Sequence, residues 1–456
     1  MISFENIDKF DRVYDFCMNY LCVVHNHIYY KHFYILNKEN IPKKGEPTIV
    51  IANHQNGLMD ALAILHTMFL DRRQPVFIAR GDLFKKDRMA KILRFLKIMP
   101  SFRTRDAKNR EDILENLSVY NKAARILKAG GTIVIFPEAT HQHGHYMNTF
   151  KKGFCRIAFS AEEENDYQIN VKVLPLNIHY SNYFNFHSDL MVTVGEPFTY
   201  EELYDMYKTS PNEAYLALNE KARARVKAIT PDIDIPEYLN EIEDLTQMMN
   251  RPLLRHEGKN PNYFPNQKNA SMTIIEKVRQ YRENDEEGFT SLMEKMRTFK
   301  TMLKENGLPH WVFNKKTNIF KLICRIIGMV ALLPFFIFGV VNNLVPRLIT
   351  KVFADKAKDP MFHSSFQYVV GTFLVFPLCY ILLFALVWIL SKKFLFALGY
   401  LILTFATAFL VHHYRIWWHN MMSFFRAMRM RKSKNYKEMS HLNDEITSKM
   451  VELLFE

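Results

Sequence analysis

From residue 46 to about residue 227, short apolar runs alternate with helix-periodic stretches. The runs at 48–52, 75–79, 131–136, 173–178 and 190–194 have the length and near-continuous apolar character of strands buried on both faces. The clearest helix opens near Arg110 to Asp112 and sets Ile113, Leu117, Ala124 and Leu127 on one face. It stops at Gly130 and Gly131, where glycine accepts the left-handed cap. Alternation of this kind predicts an α/β layered domain around a mostly buried mixed sheet, spanning 46–235.

The pattern changes on either side. Residues 10–37 are aromatic and roughly helix-periodic, so the 1–45 segment suits either a membrane interface or packing on the domain. Residues 236–312 are polar and charge-dense; Pro252, Pro261 and Pro265 interrupt the first half, and a helix from Phe289 to Asn306 ends at Gly307 and Pro309. This reads as a helical connector. Three long apolar segments follow within 313–415, at 319–344, 368–390 and 394–411. About 20 apolar residues span a bilayer core, so the second and third are transmembrane helices joined by Ser391, Lys392 and Lys393. Arg325 and Pro334 mark the first as kinked or re-entrant. Two crossings then keep the basic tail, 416–456, in the cytoplasm beside the N-terminal domain, as positive-inside charge bias asks.

Charge and cysteine usage narrow the partners. Sixty Lys and Arg against 47 Asp and Glu favour an anionic ligand, carrier protein or lipid. No basic face interleaved with stacking aromatics argues for nucleic acid. The five cysteines are scattered and odd in number, which gives neither a disulfide framework nor a metal-ligand spacing and suits a reducing compartment. The N-terminus does not read as a cleavable signal, so the first half is expected to be cytoplasmic.

The candidate chemistry lies where strands end. The 48–52 run stops at Asn53 and His54, with Asp60 six residues beyond the histidine. Those two meet only if a turn intervenes, and Asn56–Gly57 supplies one. An imidazole held by a carboxylate is a general base for a hydroxyl. Arg103 and Arg105 follow Pro100 in an apparent loop and suit capture of a phosphate. Glu138 can accept hydroxyl groups or position Arg, and Thr140 offers a hydroxyl and an amide. His141, His143 and His145 alternate, but no acidic or thiolate ligand has matching spacing, so no metal is assigned. The 173–180 strand, with a Pro inside it, reads as pocket wall.

Taken in order, Asn53-His54…Asp60, the Met-Pro-Ser-Phe-Arg block ending at Arg103, Phe-Pro-Glu-Ala-Thr at 136–140 and Val-Leu-Pro at 173–175 resemble the glycerolipid acyltransferase family. Lys-Lys-Gly at 151–153 and Val-Gly-Glu-Pro-Phe at 194–198 also stand where that family has similar residues. Two departures matter. Five residues rather than four separate His54 from Asp60, as in a longer-spaced branch, and Ala139 replaces the usual glycine, which would narrow the acceptor pocket. The resemblance implies transfer of an acyl group from acyl-CoA or acyl-carrier protein to a phosphorylated glycerol at a membrane, without a cofactor. His54 and Asp60 would be catalytic, and Asn53, Arg103, Arg105, Glu138, Thr140 and Lys152 would bind substrate. It leaves two other readings: an O-acyltransferase for another lyso-lipid such as a lyso-aminolipid, and an inactive membrane binding protein.

Overall fold

The computed structural model describes residues 6–101, 110–139, 144–314, 319–357, 359 and 362–455. The chain forms two compact units, Met1–Asp234 with Asp359–Ser365, and Ile235–Lys358 with Phe366–Glu456.

The first unit is built on a seven-stranded sheet. Its strands are β1 (His32–Leu36), β2 (Thr48–Ala52), β3 (Val76–Arg80), β4 (Ile98–Ser101), β5 (Thr132–Ile135), β6 (Lys172–Tyr180) and β7 (Asp189–Val194), in the order β1-β7-β6-β2-β5-β3-β4. Every pair is parallel except β6–β7, so the sheet is mixed, as the apolar runs imply. Five helices accompany it: α1 (Arg12–Val24), α2 (Leu58–Met68), α3 (Asp87–Phe95), α4 (Arg110–Lys128) and α5 (Gly153–Glu163), followed by α6 (Tyr204–Thr209) and α7 (Pro211–Lys227). All five residues of β2 are buried, and one core joins Ile49, Ile51, Ile133 and Val173 to Ala124 of α4, Phe159 of α5 and Leu218 of α7. Burial on both faces is why these runs lack period-two alternation.

Two strands escape the apolar pattern. β1 is only partly buried, and it lies ahead of the expected boundary at residue 46, so that boundary falls inside the sheet. β4 contains Pro100 and runs along the sheet's edge, where a missing backbone donor is tolerated. Pro175 presents a harder case, because β6 is central. The β6–β7 ladder runs from Leu176–Val194 to Tyr180–Leu190 and resumes only as a bridge between Val173 and Phe198. Pro175 sits in that gap and accepts from the Gly195 amide at 2.8 Å. A Cβ on Gly195 would come within 2.8 Å of the Pro175 ring, so glycine is required there.

α1 is two-sided. Tyr14, Asp15 and Met18 are buried against the unit, and Arg72 pairs with Asp15 at 2.5 Å, while Val13, Phe16, Tyr20 and Val23 form an exposed row.

The second unit is helical: α8 (Leu239–His256), α9 (Phe264–Asn284), α10 (Glu286–Asn306), a short α11 (Trp311–Asn314), α12 (Ile319–Asn342) and α13 (Leu344–Asp355). α14 (His363–Phe366) leads through a π-helical stretch, Gln367–Val375, into α15 (Phe376–Ser391), then α16 (Phe394–Met430) and α17 (Lys434–Phe455). Three stretches, Phe320–Asn342, His363–Ser391 and Phe394–Met430, are long and apolar enough to cross a membrane. α12 carries Pro334 inside it without interruption of the helix. The 416–456 tail is helical: α16 runs to Met430, and α17 packs Met439, Ile446 and Met450 into the bundle, with Lys449 over the Tyr281 ring and Lys295 paired with Glu445.

Candidate active site

Parallel strands bring their last residues to one edge of a sheet, and that edge is where open α/β sheets place ligands. Here β2 ends beside Asn53 and His54, β5 leads through Phe136 and Pro137 to Glu138, and β6 ends at Tyr180. β4 ends at Ser101 on the same edge, about 14 Å from β2 by three interstrand steps.

The turn after β2 places the histidine on the acid. Gly57 takes φ 52°, ψ −125°, a conformation closed to residues with a Cβ, and reverses the chain into α2. His54 Nδ1 then lies 2.8 Å from Asp60 Oδ2. Because a carboxylate only accepts, Nδ1 carries the proton and Nε2 keeps its lone pair. The imidazole is 16% exposed and Asp60 wholly buried. The same Asp60 oxygen accepts from the amides of Gln55 and Asn56, both at 2.7 Å, and Tyr180 donates to Asp60 Oδ1 at 2.6 Å. Four donors converge on one carboxyl group, which fixes it while it orients the imidazole. On its other side the His54 ring stacks on Phe136, with centroids 4.2 Å apart and planes 16° from parallel.

Asn53 and Glu138, expected to meet substrate, are each only 2% exposed. Asn53 donates to the Ile178 carbonyl at 2.9 Å and accepts from the Ile178 amide at 2.7 Å, which extends the β2–β6 ladder beyond Ala52. Glu138 accepts from the amides of His54, at 3.1 Å, and Asn148, at 3.0 Å. It thus clamps the β2 turn to the loop after β5. Burial pushes its carboxyl up to about 7, against the two amide bonds that favour its ionised form, with Asp60 adding a smaller upward push. Ala139 follows at φ +58°, the left-handed region, which explains why glycine suits that position.

Lys152 stands partly exposed at the start of α5. Arg103, Arg105 and Thr140 lie outside the described residues, as do His141 and His143. Among the described residues no group of three His, Cys, Asp or Glu side chains is placed to hold a metal ion.

The pattern of residues did not single out Tyr180, Phe136 or the amides of Gln55 and Asn56. Tyr180 closes a strand read only as wall; its role follows from β6 running four residues past Leu176, the partner of Ala52, and that overhang is a matter of register.

The acyltransferase family model matches residues 32–179, a span that holds β1 to β5 and β6 as far as His179. Residues 32–179 are thus similar to an acyltransferase domain. The match begins at the first residue of β1, in accord with β1's place in the sheet. A 1-acyl-sn-glycerol-3-phosphate acyltransferase of Borreliella burgdorferi is 27% identical over 150 residues, 33% of this chain and 52% of its own length. A probable 1-acyl-sn-glycerol-3-phosphate acyltransferase of Mycoplasma pneumoniae is 28% identical over 129 residues, 28% of this chain and 44% of its own. The chain thus spans about half the length of the curated relatives it matches. Among solved structures, the 1-acyl-sn-glycerophosphate (LPA) acyltransferase PlsC of Thermotoga maritima aligns at 23% identity over 49% of this chain and 80% of its own, with a TM-score of 0.29.

Proposed function

We propose that this chain is a membrane-bound O-acyltransferase of phospholipid synthesis. It moves a fatty acyl group from acyl-CoA or acyl-carrier protein to a hydroxyl of glycerol 3-phosphate or 1-acylglycerol 3-phosphate. The observation that carries the reading is the His54–Asp60 contact of 2.8 Å at the carboxyl edge of the acyltransferase domain's sheet.

The acceptor hydroxyl gives its proton to His54 Nε2 as its oxygen bonds to the thioester carbonyl carbon. Collapse of the tetrahedral intermediate breaks the carbon–sulfur bond, and the imidazolium returns the proton to the departing thiolate. Asp60 stabilises the imidazolium, Tyr180 and the two turn amides hold Asp60, and Glu138 and Asn53 hold the turn. No cofactor and no acyl-enzyme enter this scheme. Arg103 and Arg105 are assigned to the acceptor phosphate, with Thr140 and Lys152 beside it. The membrane reading draws on the three long apolar helices and on the donor, because each buried methylene of an acyl chain contributes about 0.8 kcal/mol. The enzyme is placed in the cell's inner membrane, with its acyltransferase domain in the cytoplasm.

Purified protein given glycerol 3-phosphate or lysophosphatidate, each with acyl-CoA and with acyl-carrier protein, tests the proposal. Product from either phosphorylated acceptor supports it. Transfer only to phosphate-free lyso-lipids, such as a lyso-aminolipid, would remove the glycerol phosphate assignment.

A further inference from the structure

α3 carries more apolar surface than the domain uses. At 100° per residue, Ala90 and Leu93 turn one side of the helix toward the sheet, and only Ala90 is fully buried. Met89, Ile92 and Phe95 turn another apolar side outward, exposed by 44%, 52% and 42%, and Leu83, just ahead of the helix, joins them. Around this side stand five exposed cations, Lys85, Lys86, Arg88, Lys91 and Arg94, against the carboxylates of Asp87 and of Asp82, the latter paired with Arg80. The helix bridges β3 to the edge strand β4, so nothing in the sheet lies beyond it.

Two features select the occupant. A convex helix with a wide apolar arc and a cationic rim matches the boundary between headgroups and acyl chains of an anionic bilayer. α3 also packs on α1, where the Phe95 ring meets the buried Tyr14 edge-on at 6.1 Å, and α1 carries an exposed apolar row of its own, Val13, Phe16 and Tyr20.

We propose that α3 is an anionic-membrane contact, inserting Met89, Ile92 and Phe95 below the headgroups while its lysines and arginines engage lipid phosphates. The inference rests on the membrane-enzyme reading and extends it to a surface of the first unit. It predicts that the domain lies on the bilayer with its α3 side down.

The test uses the full chain in nanodiscs of phosphatidylcholine alone or with phosphatidylglycerol. Spin labels are placed at I92C, at N212C on the exposed start of α7, and at L386C within the apolar helix α15. All are made in a background with the native cysteines replaced, checked for acyl transfer. Collision rates with oxygen and with a water-soluble nickel chelate report depth. The expected result is that the label at 92 becomes several-fold more accessible to oxygen than to nickel only in the anionic discs, while the label at 212 stays in water. Charge reversal by K86E/R88E/K91E should return the label at 92 to water. A label at 92 that stays in water in both lipids while that at 386 is in lipid would overturn the α3 contact and leave the membrane reading standing. A label at 386 in water would overturn the membrane reading itself. Shielding of the label at 92 from both reagents, or by added acyl-carrier protein, would assign the patch to a protein partner instead.

Discussion

Tyr180 shows how much of the His54–Asp60 pair is held from outside it. Its hydroxyl reaches the Asp60 oxygen that the histidine does not use, in a fully buried setting. Y180F should lower kcat about tenfold, equivalent to roughly 1.4 kcal/mol of lost positioning, with KM little changed in steady-state assays. Glu138 makes a prediction about pH. Its carboxyl is raised to about 7, so between pH 4.5 and 7 the folded protein holds a proton that the unfolded chain has released. The stability due to this group is complete below pH 4.5 and falls as pH rises through 7, by about 3 kcal/mol. E138Q should lack that decline when urea unfolding of the two proteins is compared across the window. Ala139, at φ +58°, pays for a left-handed backbone with a methyl group in place. A139G should stabilise the protein by about 0.5–1 kcal/mol in the same measurement, since relief of roughly 1–2 kcal/mol exceeds the added freedom of the unfolded chain.

At the scale of elements, the sheet was legible where burial is complete and illegible where it is not. β2, β5, β6 and β7 are apolar runs because water reaches neither face; β1 and β4 are edge strands whose aromatic residues and proline obey looser rules. The His54–Asp60 contact could be anticipated because Gly57 is a local signal for a turn. Tyr180 could not, because nothing local to β6 records how far it overhangs β2. In α17 the charges stand out in the sequence, while Met439, Ile446 and Met450 trace the buried helical stripe. In the same bundle, burial draws the Lys268 ammonium on α9 down to about 7. The folded form then binds fewer protons than the unfolded chain from pH 7 to 10.5, so stability should rise with pH across that window. K268M should abolish the rise in denaturant melts followed by circular dichroism.

For the whole molecule, the claims are that catalysis happens on the cytoplasmic side and that His54 performs it. Cysteine labelling of intact cells addresses the first: S391C, between α15 and α16, should react with an impermeant maleimide from outside, whereas K434C should react only after permeabilisation. The order and spacing of the motif blocks along the chain made the likeness to an acyltransferase domain readable. The second claim is tested most directly by thiol release from acyl-CoA and acyl-carrier protein in the presence of glycerol 3-phosphate or lysophosphatidate, comparing wild type with H54A. The account predicts acceptor-dependent release by the wild type and a loss of at least a hundredfold in a variant that still folds. Turnover by H54A at the wild-type rate would contradict it.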